Sequence, residues 1–134
     1  MALAMKSWLG LAALLTVGAA QAAASDPSLK AFLGKFADMA SHGAVASMAK
    51  VTRFPLKNEV YQQPGAISPS GFKHHFQLNG YPTLAACLKA TPPQRATNRS
   101  ADLGEWEVDC DGNIFHFARD GDAWRHSGFE NVNE

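Results

Sequence analysis

The run EWEVDCDGNIFHFARDGDAWRH, residues 105–126, decides the fold class. Two dipeptides, Asp111-Gly112 and Asp120-Gly121, divide it into segments dense in aromatic and β-branched residues, the strongest short-range signal for hairpins. A two-residue turn at Asp111-Gly112 sets Cys110 opposite Asn113, Val108 opposite Phe115 and Trp106 opposite Phe117. The same turn at Asp120-Gly121 sets Phe117 opposite Trp124 and Phe115 opposite His126. The spacing predicts a three-stranded antiparallel meander with Trp106, Val108, Cys110, Phe115, Phe117, Trp124 and His126 on one face. Glu105, Glu107, Asp109, Ile114, His116, Arg125 and Ser127 take the other, where His116 would join a surface charge cluster with Glu107 and Arg125. A one-residue slip would exchange the two faces, so the separation of apolar from charged residues supports the register. A bulge at the second turn would shift the third strand's pairing by one.

Moving toward the amino terminus, Asp26-Pro27 is a helix start: Asp26 can accept from free N–H groups and Pro27 supplies the fixed first dihedral. Leu29, Phe32, Leu33, Phe36 and Ala40 follow at the spacings of one apolar face, and Gly43 is the expected stop. A shorter helix fits Ala44 to Val51, with Val45, Met48 and Ala49 inward, and Pro55 breaks the helical pattern. From Phe54 to Tyr61 the pattern is strand-like, closed by the turn signal Gln62-Gln63-Pro64-Gly65, with Ala66 to Ser68 returning as a short strand. Ser68-Pro69 or Ser70 opens a third helix carrying Phe72 and Phe76, and Asn79-Gly80 closes it. Pro82 to Lys89 reads as a further helical segment with Leu84, Cys87 and Leu88 inward, and residues 90–104 as a polar loop.

The chain has 134 residues, with 12 Lys+Arg against 12 Asp+Glu. Zero formal charge argues against a sequence-independent nucleic-acid binder, which needs surplus cations to displace counterions. Lys6 is the only charge among the first 25 residues, and the apolar run Trp8 to Gly18 that follows it ends in small residues. That is the pattern of a secretory signal peptide, residues 1–24, with cleavage after Ala22 or Ala24. The apolar run is about half the roughly 20 residues of a spanning helix, so no stable membrane anchor is expected after cleavage. The expected mature chain, 25–134, is a single domain, and its localisation is periplasmic or secreted. Export gives the two cysteines, Cys87 and Cys110, one intramolecular connectivity, a disulfide.

The order of helix, helix, strand, turn, helix and antiparallel meander resembles the NTF2-like (SnoaL-like) α+β cone. Phe32-Leu33-Gly34-Lys35-Phe36-Ala37 and Gly43-Ala44-Val45-Ala46-Ser47-Met48-Ala49 running into Arg53-Phe54-Pro55-Leu56 carry the resemblance. Ile67-Ser68-Pro69-Ser70-Gly71-Phe72 and Trp124-Arg125-His126-Ser127-Gly128-Phe129-Glu130 complete it. It implies an α+β fold in which N-terminal helices pack on a bent antiparallel sheet, leaving a pocket at the open end. Enzymes, ligand carriers, assembly modules and immunity-like proteins share that form, so fold transfers no function by itself.

Side chains that could carry chemistry are few. His74-His75 lies on the third helix, where neighbours point about 100° apart and cannot chelate one ion together, so a solvated face is expected. The Asp111 and Asp120 segments lack the ligand count of an EF-hand and read as turns. No Ser-His-Asp order, G-x-S-x-G elbow, H-E-x-x-H or P-loop is present. Tyr61, Trp106 and Trp124 have the polar edges and apolar faces of pocket-lining residues. His126 stands out because the register puts an ionisable ring beside Phe115 and Phe117 on the face meant for burial, where it must find a partner or shift its pKa. The expected ligand-binding set is Tyr61, Trp106, Phe117, Trp124 and His126, with no catalytic residue, metal or cofactor. The function expected is an exported, non-enzymatic binding module for a protein or small ligand, in an inhibitor or immunity-like role. A small SnoaL-like hydrolase or isomerase using His126 is the alternative, and a homodimer formed through the sheet is a further option.

Overall fold

A computed structural model describes residues 26–61, 63–97 and 100–133. The expected leader, residues 1–24, lies outside the described residues, as does the Asn98-Arg99 part of a glycosylation-type sequon. Among the described residues the fold is α+β, with four α-helices packed on one six-stranded sheet. Helix α1 spans Pro27–Ser41 and begins as its residues dictate: the Asp26 carboxylate accepts from the Ser28 and Leu29 N–H groups, with Pro27 in the first turn. Leu29, Leu33, Phe36, Ala37 and Ala40 form its buried stripe. After α2 (Val45–Lys50) the chain enters strand β1 (Thr52–Val60), folds back as β2 (Gln63–Ile67), and passes through a 3-10 turn into α3 (Phe72–Leu78).

The segment read as one further helix is a 3-10 turn, Tyr81–Leu84, running into α4 (Ala85–Ala90). The polar loop that follows holds a two-residue strand β3 (Gln94–Arg95) and a 3-10 turn, Ala101–Leu103. Strands β4 (Trp106–Cys110), β5 (Asn113–Asp120) and β6 (Ala123–Asn131) form the expected meander. The sheet order is β2-β1-β6-β5-β4-β3.

One expectation is corrected here. The sheet is mixed rather than antiparallel, because β1 runs parallel to β6. The β1–β6 pairing jumps between Thr52, opposite His126, and Lys57, opposite Gly128. The cis Phe54–Pro55 bond falls inside that interruption, where proline has no N–H for the ladder.

The first turn of the meander is as the sequence predicts. Trp106 faces Phe117, Val108 faces Phe115 and Cys110 faces Asn113, with positive φ at both Asp111 and Gly112. The second turn is centred one residue later, on Gly121-Asp122, with Asp120 opposite Ala123 and Gly121 alone at positive φ, the type II′ pattern. Phe117 therefore faces His126, and Trp124 faces Arg119, whose guanidinium lies 5.0 Å from the indole centroid. This register differs from the expected one by two residues. A shift of two preserves which side each residue faces, so all seven residues of the expected apolar face are buried. Beyond His126 the register moves again: Phe115 faces Phe129 and Ser127 is left in a bulge.

The core lies between this face and the helices. Phe36 packs edge-on against Phe117 at 5.2 Å and Phe115 at 6.3 Å, and sits 5.1 Å from the His126 ring. Full burial of each such phenylalanine contributes on the order of 1.5–3 kcal/mol. Cys87 on α4 is bonded to Cys110 on β4, with Cα atoms 5.8 Å apart, tying the helical layer to the sheet.

The other face corrects a second expectation. His116 and Ser127 are buried, not solvated, because residues 100–104 cross the outer side of the sheet like a strap, and Ile114 on the same face is buried as well. Ser127 Oγ donates to the Leu103 carbonyl at 2.8 Å and Lys57 Nζ to the Asp102 carbonyl at 2.9 Å. Gly128 makes the close approach possible: a Cβ there would stand 2.5 Å from the Leu103 carbonyl oxygen.

Candidate functional site

Histidine 126 sits inside the helix–sheet core, fully buried, and both its nitrogens are occupied. Nδ1 lies 3.2 Å from the His116 carbonyl oxygen, an acceptor, so Nδ1 carries the proton and Nε2 the lone pair. The Tyr81 hydroxyl donates to that Nε2 at 2.7 Å. Burial pushes the Tyr81 phenol well above its ordinary value, which keeps the hydroxyl a donor. Its oxygen accepts in turn from His75 Nε2 at 2.8 Å. Asn79 completes the row: its Nδ2 donates to the His75 carbonyl and to His75 Nδ1, each at 3.0 Å. The bond to the carbonyl fixes the amide's orientation, and every bond in the row Asn79, His75, Tyr81, His126, His116 carbonyl then points one way.

This row keeps two imidazoles neutral in an apolar interior. Burial lowers His126 to about 3; the bond to the His116 carbonyl opposes the shift, and the neighbouring His75 and His116 rings add to it. His75 is lowered to about 4, again by burial first and by His74 second. A histidine in this state holds a proton on a chosen nitrogen and accepts at the other. It is a positioned polar link, and its nitrogens are already engaged within the protein.

At the outer end of the row a groove of about 540 Å³ opens between the β1–β2 hairpin and α3. Volumes of this size hold small ligands. Its polar side chains include Asn58, His75, Asn79 and Asn131, and its apolar wall includes Val60 and Ile67, with Leu78 on the rim. Leu78 is 72% exposed, the most exposed large apolar side chain among the described residues. Asn58 occupies an inward position of β1, in alternation with Phe54, Leu56 and Val60, and faces Phe129 across the parallel pairing. Its Oδ1 is sealed from solvent, and among the described residues it has no hydrogen-bond partner.

The five residues expected to bind a ligand do not converge on this groove. Phe117 and His126 are core neighbours, with ring centroids 5.6 Å apart. Trp106 is buried beneath Arg95, whose guanidinium lies 4.7 Å from the indole centroid. Trp124 is buried with its Nε1 donating to Ser28 Oγ at 2.9 Å. Tyr61 stands at the β1–β2 turn, half exposed, with φ +52. The groove residues instead come from the turn-proximal half of β1, the end of β2, the end of β6 and α3. Asn58 had a signal, since a polar side chain in the inward parity of a strand needs an explanation. His75, read as part of a solvated face, is buried because Tyr81 and Phe129 pack against its ring at 5.3 and 5.0 Å.

Comparison with family models, with curated proteins and with solved structures finds no match to this chain. Among the described residues no helix is long and apolar enough to cross a membrane.

Proposed function

We propose that this chain is an exported, non-enzymatic binding module of NTF2-like form that holds a small ligand in the groove between the β1–β2 hairpin and α3. The observation that carries the reading is Asn58 Oδ1. A buried acceptor without a donor costs on the order of 1–3 kcal/mol, and a turn of the Asn58 side chain that bares Oδ1 to the groove would let a ligand N–H recover that cost on binding. The ligand class follows from the lining: a neutral amide or an amine whose apolar part lies against Val60, Ile67 and Leu78. The Asn79 and Asn131 side chains stand on the same lining and offer both donors and acceptors.

Export rests on the leader pattern at residues 1–24, with which the Cys87–Cys110 bond agrees. The enzymatic alternative would need the His126 ring to reach a substrate, whereas it is enclosed and bonded on both sides. The test is an amide-shift titration of the isotopically labelled mature protein with isobutyramide, phenethylamine and leucinamide. Binding should move signals of Asn58, Ile67, His75 and Asn131, and Asn58→Leu should weaken it at least tenfold. Shifts confined to other surfaces, or turnover of a hydrolase substrate that His126→Ala abolishes, would overturn the reading.

A further inference from the structure

The outer face of the sheet, away from the groove, brings together Glu107 on β4, His116 on β5 and Glu130 on β6. One ligand atom from each lies within 4.8 Å of the others. His116 Nε2 is 2.7 Å from Glu130 Oε2 and 4.0 Å from Glu107 Oε1. His116 and Glu130 are enclosed, while the Glu107 side chain keeps 17% of its exposure, so the cluster meets solvent along Glu107.

The strap gives the imidazole a fixed role. Its Nδ1 lies 3.0 Å from the Gly104 carbonyl oxygen and therefore carries a proton, which turns Nε2 toward the two carboxylates. Metal-ligating histidines characteristically donate their other ring N–H to such a partner, a backbone carbonyl among them, which fixes the tautomer and the ring orientation. Ligands at 2.0–2.2 Å from a tetrahedral ion stand roughly 3.4 Å apart, a value between the 2.7 and 4.0 Å separations here. The first of these separations opens by about 0.7 Å and the second closes by about 0.6 Å to reach that spacing. One nitrogen and two oxygens suit a borderline first-row ion, whereas calcium takes 6–8 oxygen ligands.

We propose that Glu107, His116 and Glu130 bind one divalent cation of the zinc or cobalt class, with a fourth position left to water on the Glu107 side. On binding, any proton on His116 Nε2 or the Glu130 carboxyl passes to solvent, and the nitrogen and both carboxylates coordinate through lone pairs. This inference is independent of the groove, and it stands or falls separately from the ligand reading above.

Tag-free mature protein titrated with Co²⁺ should develop visible d–d absorption that saturates at one equivalent and is displaced by Zn²⁺. Glu107→Gln, at the most accessible of the three positions, should weaken binding at least tenfold with an unchanged near-ultraviolet circular dichroism spectrum. Glu130→Gln should do the same if it folds, and Glu107→Gln decides the matter if it does not. His42→Ala, on the surface after α1, should leave the affinity unaltered. Absence of the bands at millimolar Co²⁺, equal affinity in Glu107→Gln, or loss of binding in His42→Ala would overturn the proposal and leave the cluster a buried ion pair.

Discussion

Replacing Tyr81 by Phe removes one oxygen atom and leaves the ring where it is, packed 4.9 Å from Phe115 and 5.8 Å from Phe129. That oxygen accepts from His75 Nε2 at 2.8 Å and donates to His126 Nε2 at 2.7 Å. The substitution strands a buried N–H on His75 and a buried lone pair on His126. Leaving a buried donor or acceptor unmade costs about 1–3 kcal/mol, so the pair should cost about 2–4 kcal/mol after local relaxation. For a domain of this size, a loss of 2–4 kcal/mol lowers Tm by roughly 8–16 °C. Urea denaturation of wild type and Tyr81→Phe at pH 7.5, with the disulfide intact, gives the difference directly. Nitrogen-15 spectra of the wild-type imidazoles add an independent check: His126 should carry its proton on Nδ1 and His75 on Nε2. A stability loss below about 0.5 kcal/mol, the range of surface substitutions, would refute the directed row, as would a His126 protonated at Nε2.

Acid should weaken the fold through the same two rings. Both are neutral in the core, His75 at about 4 and His126 at about 3 against an ordinary 6.5, so below pH 6.5 the unfolded chain binds the extra protons. The stability they contribute is complete above pH 6.5 and is lost as pH falls toward those values. At about 1.4 kcal/mol per pH unit for each ring, the loss at pH 5 is about 2 kcal/mol apiece, and urea midpoints that stay flat between pH 7 and 5 would contradict it. The Cys87→Ser/Cys110→Ser pair opens a bridge spanning 23 residues, for which chain entropy gives about 3 kcal/mol; equal melting temperatures with and without the bond would count against that role. Two glycines should respond in opposite directions. Gly128→Ala pushes a methyl to 2.5 Å from the Leu103 carbonyl oxygen and should cost about 1–3 kcal/mol. Gly34→Ala, inside α1 with nothing within 4 Å, should gain about 0.5–1 kcal/mol, and matching signs in thermal melts would refute the packing argument.

The helical layer and the apolar side of the meander were legible because they obey local rules: a cap and period at Asp26 to Ala40, and strict alternation from Trp106 to Phe117. The register of β6 was less so. An Asp-Gly pair can occupy the middle of a turn, as Asp111-Gly112 does, or straddle its start, as Asp120-Gly121 does, and the dipeptide alone does not separate the two. The parallel β1–β6 contact and the strap over His116 depend on pairings distant in sequence, which periodicity does not encode. The groove was missed for a related reason. Of the residues expected as ligand contacts, Trp106, Phe117, Trp124 and His126 fill the interior and Tyr61 stands at a turn, whereas the groove is lined in part by amides whose place depends on where β1, β2, β6 and α3 end.

The strap also has a bearing on which substitutions this protein tolerates. Its attachments to Lys57, Ser127 and His116 are made by the carbonyls of Asp102, Leu103 and Gly104, not by side chains. Exposed Ala101 and Asp102 are thus free to vary chemically while the chain trace stays put. Gly104 and Gly128, which carry no side chain to hide behind, are the positions where mutational tolerance should end.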